Sequence, residues 1–112
     1  MIPAGVEIFV GTTPIDMRWG FERLSGIVEA ELGRRARSGA LFVFFGRRAH
    51  TVKMLFFDGT GLWLLYKRLD SGVFQKLTAH DPNARAIVVS EAVLEGLLEG
   101  IATSAKERKR VH

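Results

Sequence analysis

The chain has no cysteine, and only three prolines and one tyrosine among its 112 residues. Missing cysteine excludes a disulfide framework, a thiolate metal site and a thiol nucleophile, and it fits a reducing compartment. No apolar run approaches the roughly 18 residues that a helix needs to span a bilayer. Met1-Ile2-Pro3-Ala4-Gly5 lacks the charged start and apolar centre of a leader peptide. A cytoplasmic protein without membrane contact is expected. Chemical motifs are equally scarce: there is no Gly-rich phosphate loop with a lysine, no HExxH helix and no Gly-x-Ser-x-Gly elbow. Asp16, Asp58, Asp70 and Asp81 each fit a cap or a turn, and His50 stands alone. His80 and Asp81, as neighbours on an extended backbone, point apart. The expectation is a protein with no catalytic residue, no metal and no cofactor.

What the chain does contain is an ordinary globular composition, with 47% hydrophobic and 25% charged residues. One domain over residues 1–101 is expected, followed by a basic flexible tail over 102–112. The centre is the stretch 41–76, LFVFFGRRAHTVKMLFFDGTGLWLLYKRLDSGVFQK, where apolar runs are cut by Gly46-Arg47-Arg48, Asp58-Gly59-Thr60-Gly61 and Asp70-Ser71-Gly72. Its Phe, Val, Leu, Trp and Tyr residues suit a pleated surface, and the breaks are short enough for hairpin turns. An antiparallel meander of four strands is predicted there, the last over residues 73–77. A two-residue turn at Gly59-Thr60 would set Phe57 against Leu62 and Lys53 against Tyr66; a three-residue turn would set Lys53 against Lys67.

Before this stretch, residues 6–10 are β-prone, and Thr12-Thr13-Pro14 followed by Asp16 reads as a helix start with Thr13 as N-cap. A helix over residues 14–32 is predicted, with Met17, Phe21, Leu24 and Val28 on one face. After the meander, 86–89 reads as a short strand or extended arm. Ser90 opens a second helix through about residue 98, its buried stripe supplied by Val93, Leu94, Leu97, Leu98 and Ile101. The fold class read from this order is α+β: a twisted antiparallel β-meander of about four to six strands with two amphipathic helices packed on one face.

Charge is unevenly spread along a chain whose net is +4. Residues 1–33 carry two cations against five carboxylates, a net −3, and 77–101 carry one against four, also −3. Residues 34–76 carry nine cations against two, a net +7, and 102–112 carry four against one, +3. The sheet and tail are basic and the helices acidic. Cations also recur beside aromatics, at Phe45-Gly46-Arg47-Arg48, at Lys53 with Phe56-Phe57, and at Trp63 with Tyr66-Lys67-Arg68. That pairing suits phosphate contact with base stacking, and equally suits lysine stems lying over aromatic rings on a solvated surface. The candidate nucleic-acid or partner-binding residues are Arg34, Arg35, Arg37, Arg47, Arg48, Lys53, Trp63, Tyr66, Lys67, Arg68, Lys106, Arg108, Lys109 and Arg110.

A resemblance lies in the same residues. Asp16-Met17-Arg18-Trp19-Gly20-Phe21, Leu41-Phe42-Val43-Phe44 with Gly46-Arg47-Arg48, Lys53-Met54-Leu55-Phe56-Phe57-Asp58-Gly59, Gly61-Leu62, Lys67-Arg68-Leu69, Gly72-Phe74 and Leu97-Leu98-Glu99-Gly100-Ile101 run collinearly over nearly the whole chain. Together they resemble the TnpB-type protein, the second open reading frame, of insertion sequence 66 elements. The chain differs from that pattern at Trp19, where a lysine is usual, and at Phe56-Phe57, where two tryptophans are usual. The resemblance implies a small, non-enzymatic accessory protein for DNA transposition whose partners are element DNA, the transposase of the same element, or both. The rival readings are an adaptor for the transposase with no DNA contact, and a metal-dependent nuclease.

Overall fold

The computed structural model describes residues 5–103. In chain order these form β1 (Ile8–Gly11), α1 (Phe21–Ala30), β2 (Leu41–Phe45), β3 (Thr51–Phe57), β4 (Leu62–Arg68), β5 (Ala86–Val89) and α2 (Glu91–Glu99). The strands make one five-stranded sheet in the order β4-β3-β2-β1-β5. β1 runs parallel to β2, and the other three pairings are antiparallel. The α+β expectation therefore stands in strand and helix number. The sheet is mixed, however, because only β2, β3 and β4 form a meander.

Every residue of β2 except Phe45 is buried, so both faces of the central strand are covered. Alternation along the strands divides the core into two layers. Phe9, Phe42, Phe44 and Leu55 face Leu24 and Val28 of α1. Ile8, Val10, Leu41, Val43, Val52 and Met54 face Leu94 of α2 and Phe74. The two helices thus lie on opposite faces, not on one face as expected. A strand apolar on both sides exposes half its side chains unless a cover is supplied to each.

Two local differences share a cause. The first helix begins at Phe21, with Gly20 as an N-cap that makes no side-chain bond, and not near Pro14. Asp16 intercepts the helix start: its carboxylate accepts from the Arg18 backbone N–H at 2.9 Å, closing a local loop. Ile15 meanwhile bridges to Gly46 in extended form, with its N–H on the Phe45 carbonyl at 2.9 Å. The expected fourth meander strand is likewise replaced by a crossing segment. Residues 69–85 leave β4 and pass along the end of the sheet to reach β5 on the far edge. Phe74 packs on Phe45 with ring centroids 5.3 Å apart, and Val73 makes a single bridge to Ile101. Burial of Phe74 outweighs continued strand pairing there.

The predicted apolar faces are buried only in part: Leu24 and Val28 of α1 and Leu94 and Leu97 of α2 are buried, whereas Phe21 and Val93 are exposed because each helix meets the sheet along a narrower stripe, and Ile101, just past α2, is exposed as well. The Ser90 hydroxyl caps α2 by accepting from the Val93 N–H at 3.2 Å, and Gly100 ends it with φ +77. The β3–β4 turn is the two-residue form, pairing Phe57 with Leu62 and Lys53 with Tyr66. Ile101 makes the bridge to Val73 and Ala102 is buried; the expectation for the rest of the tail lies outside the described residues. Among the described residues no helix is long and apolar enough to cross a membrane.

Gly46 is the tightest joint of this arrangement. A Cβ there would run into Thr51 Oγ1, itself held on the Arg48 carbonyl at 3.0 Å, and would sit 3.1 Å from the Met17 methyl. Gly46→Ala is expected to cost about 1–3 kcal/mol of stability through overpacking. A urea titration checks it: the midpoint should fall with an unchanged slope, and an unshifted midpoint would show that the turn gives way freely.

Candidate nucleic-acid interface

The loop 12–20 lies at the end of the sheet where β1 and β2 finish, beside the β2–β3 turn 46–50. Asp16 organises it. Its carboxylate accepts from Arg18 Nε at 3.0 and 3.1 Å and from Arg18 Nη2 at 2.7 Å, and approaches Arg47 Nη1 at 4.0 Å. These bonds, led by the Arg18 side chain, hold the Asp16 carboxyl well below the usual carboxylate range and raise Arg18 in turn. Arg18 is nonetheless 89% exposed and Arg47 68% exposed, so both cations still face solvent.

Next to Asp16, Trp19 is half-buried, and the Arg23 guanidinium carbon lies 4.5 Å from its ring centroid and that of Arg47 6.0 Å away. Arg23 stands in the first turn of α1 and lies over the ring of Trp19, which precedes the extended Gly20 cap. Beneath the loop, Lys53 is buried and donates its ammonium to the Trp19 carbonyl at 2.8 Å. The same ammonium lies 5.6 Å from the Tyr66 ring centroid, across the β3–β4 pair. A loop, a turn, a helix start and two strands thus converge on one aromatic–cationic surface made by Arg18, Trp19, Arg23, Arg47 and Tyr66.

The structure divides the candidate residues named from sequence. Lys53, Tyr66 and Arg68 belong to the face that α1 covers, and Arg47 and Arg48 to the turn at the same end of the sheet. Lys67 lies on the opposite face, where its ammonium donates to the Leu98 carbonyl at 2.7 Å and so caps the C-terminal end of α2. Trp63 also belongs to that second face, beside Phe56 near the other end of the sheet. Its indole N–H donates to Asp58 Oδ2 at 2.8 Å. That bond, with those from Thr60 and Gly61, holds the Asp58 carboxyl below its ordinary range. Arg34 stacks on Phe9 at 4.8 Å and, with exposed Arg35 and Arg37, lies in the connection entering β2, at the end away from Arg47. Lys106, Arg108, Lys109 and Arg110 lie outside the described residues.

Arg18, Trp19 and Arg23 were absent from the sequence-derived candidates. The four-residue step from Trp19 to Arg23 was a readable signal, whereas the Lys53 bond spans 34 positions and needs the fold. Among the described residues the ion pairs are Arg18 and Arg47 with Asp16, and Arg85 with Glu31. None ties Arg48, Lys53, Lys67 or Arg68 to a helix carboxylate. No group of three His, Asp or Glu side chains that could hold a metal ion converges among the described residues.

The family model described as IS66 Orf2 like protein matches residues 6–108. The chain belongs to the IS66 Orf2-like family. It is 40% identical over 103 residues to the uncharacterized protein y4hO of Sinorhizobium fredii (strain NBRC 101917 / NGR234), covering 90% of this chain and 87% of that one. It is 36% identical over 70 residues to the uncharacterized protein y4jC of the same organism, covering 62% of this chain and 60% of the other. No solved structure matches it. Membership of the IS66 Orf2-like family carries an accessory role in transposition, and the Asp16–Trp19 loop lies within the matched region.

Two expectations test how the surface is held. Lys53→Met keeps the stem but leaves the Trp19 carbonyl without its donor, at an expected cost of about 1.5–3 kcal/mol for a charge-assisted bond. In a Trp63→Phe background, where Trp19 is the remaining tryptophan, its emission should shift to the red. Unchanged stability and emission would show that Lys53 merely lies along the loop. The second concerns acid. The depressed Asp16 carboxyl contributes stability that is complete above the unfolded value of about 4 and is lost as pH falls below it toward the folded value. Trp19 emission should therefore change on acidification below about pH 4, and Asp16→Asn should shift it at neutral pH and flatten its acid dependence.

Proposed function

We propose that this IS66 accessory protein acts without catalysis in the cytoplasm, binding element DNA through the surface centred on Trp19. One observation carries the reading: Trp19 lies against the guanidinium groups of Arg23 and Arg47 while neither cation is cancelled by a helix carboxylate. Arg18, Arg23 and Arg47 supply phosphate contacts, and Trp19 and Tyr66 supply apolar ring surface for sugar or base. Arg48 and Arg68 extend the positive field along the same end of the sheet. The Trp found here where the family pattern carries a lysine exchanges a point charge for a stacking surface.

A second reading has a structural feature behind it. A groove of about 220 Å³ lies between β1, β5 and the crossing segment, lined by Val10, Phe45, Phe74, Leu77 and Ile87 with Arg47 and Lys76 at its rim. It suits an apolar side chain next to a carboxylate, as an acidic segment of the transposase would offer.

Fluorescence anisotropy with duplex from the element's ends, titrated over salt, separates the two. Arg23→Gln with Arg47→Gln should lower the slope of log affinity against log salt by up to about 1.8, at about 0.9 for each phosphate no longer neutralised. Leu77→Ala with Lys76→Gln, which spare the buried Phe74, should leave DNA binding nearly unchanged. Absence of salt-dependent DNA binding, together with transposase binding abolished by the groove variant, would transfer the function to the adaptor reading.

A further inference from the structure

β4 is seven residues long, forms one edge of the sheet and contains no proline, glycine or bulge. It also carries Trp63 at 56% and Tyr66 at 54% exposure. The opposite edge, β5, has four residues. The hydrogen-bonding direction of β4 follows from the two ends of the β3–β4 ladder. The Asp58 N–H donates to the Gly61 carbonyl at 3.1 Å, and the Leu69 N–H to the His50 carbonyl at 2.9 Å. Both are bonded pairs of one antiparallel register, so alternate residues between them, Trp63, Leu65 and Lys67, bond to β3. The N–H and C=O groups of Leu62, Leu64, Tyr66 and Arg68 point away from the sheet, a row of unmet donors and acceptors.

We propose that β4 pairs antiparallel with β4 of a second copy of this chain about a two-fold axis through Leu65, joining the two sheets edge to edge. Self-complementarity specifies the occupant and its register. Pairing about Leu65 sets Leu62 against Arg68, Leu64 against Tyr66, and Trp63 against Lys67 of the second copy, with all seven residues engaged. The outward-pointing groups then meet only outward-pointing groups. Trp63 is held by Asp58 at 2.8 Å, so the aliphatic stem of Lys67 from the second copy, its ammonium kept on its own Leu98 carbonyl at 2.7 Å, crosses a fixed indole. A shift of four residues along the edge would set Lys67 against Lys67, which like-charge repulsion disfavours. Shifts of two residues, with the axis through Leu64 or Tyr66, pair only five of the seven residues of β4, so the register about Leu65 is the one that engages the whole strand.

The axis is perpendicular to the sheet, so each face of one copy continues into the same face of the other. On the DNA reading above, which this consequence alone rests on, the two Trp19 surfaces lie on one side of the dimer. Lys53 is one strand in from each edge, so the two lysine positions are roughly 15 Å apart at a strand spacing of about 4.8 Å. Such an arrangement presents paired cationic surfaces to one long anionic partner.

The absence of cysteine makes a direct test simple. Residues opposite each other in a non-bonded antiparallel pair have Cα atoms about 4.5 Å apart, within disulfide reach. Leu65→Cys should oxidise to a covalent dimer of twice the 12.5 kDa chain mass. Trp63→Cys should not, because its two copies would be offset by roughly 13 Å, whereas Trp63→Cys with Lys67→Cys should. Sedimentation equilibrium of the unaltered chain should give a concentration-dependent mass approaching two copies. Tyr66→Pro removes an outward N–H that β3 does not use, and should return a monomer with unchanged far-UV circular dichroism. Two results overturn the proposal: an unaltered chain that stays monomeric while Leu65→Cys cross-links no faster than Trp63→Cys, which would leave the edge to a strand of another protein, or a dimer that persists in Tyr66→Pro. If Leu65→Cys fails to fold, the mass of the unaltered chain and of Tyr66→Pro decides. These masses are read without DNA, so their failure is distinct from failure of the DNA reading.

Discussion

The constraint on which the structure depends is that β2 is apolar on both faces. Leu41 and Val43 point one way and Phe42 and Phe44 the other, and all four are buried. Each side chain of this size gains about 1.5–3 kcal/mol on burial, so neither face can be left to water. The chain meets the demand by sending α1 over one face between β1 and β2, and α2 over the other after β5. The parallel β1–β2 pair follows, because a helical crossover over one face returns the chain in the same direction. The crossing segment 69–85 follows as well, since β5 must be reached on the far edge and Phe74 can fill the second core layer on the way.

Two lysines show how the same pleat assigns different roles to similar residues. Lys53 and Lys67 sit on neighbouring strands, yet their side chains emerge on opposite faces. Each ends on a backbone carbonyl left over by another element, Trp19 in the entry loop and Leu98 near the end of α2. A buried or half-covered ammonium needs acceptors, and helix ends and loops have unmet carbonyls. Two of the nine cations of the central segment, Lys53 and Lys67, therefore have a structural role. Among the cations that face solvent, the guanidinium groups of Arg18 and Arg47 sit at the end of the sheet, where Asp16 orients the one and draws in the other without covering them, while Arg35 and Arg37 face solvent at the other end.

The accessory role of the IS66 Orf2-like family is consistent with this division of labour. The described residues form a sheet whose central strand is covered on both faces, with a cationic–aromatic surface on a loop and a turn at one end. Loops on a sheet scaffold can vary in sequence at little cost to the core. The Trp19 surface is of that kind, and its Asp16 and Lys53 supports come from the loop itself and the scaffold below.

By itself the sequence determined the α+β class, the β2–β3–β4 hairpins, the two-residue turn at Gly59-Thr60, the Ser90 cap and the family, because each rests on local chemistry or on residue identity in order. Asp16 competing for the backbone N–H of Arg18 is also a local effect, but Pro14 and the apolar spacing that follows it are the stronger signals in sequence, and they point to a helix. Only the tertiary structure decided that the helices take opposite faces, that residues 73–77 leave the meander, and that Trp19 joins Lys53, Arg47 and Tyr66. Periodicity fixes which side chains share a face of one element; it carries no information on which element covers that face. That choice is made by long-range burial, and the loop surface at the end of the sheet exists only once it is made.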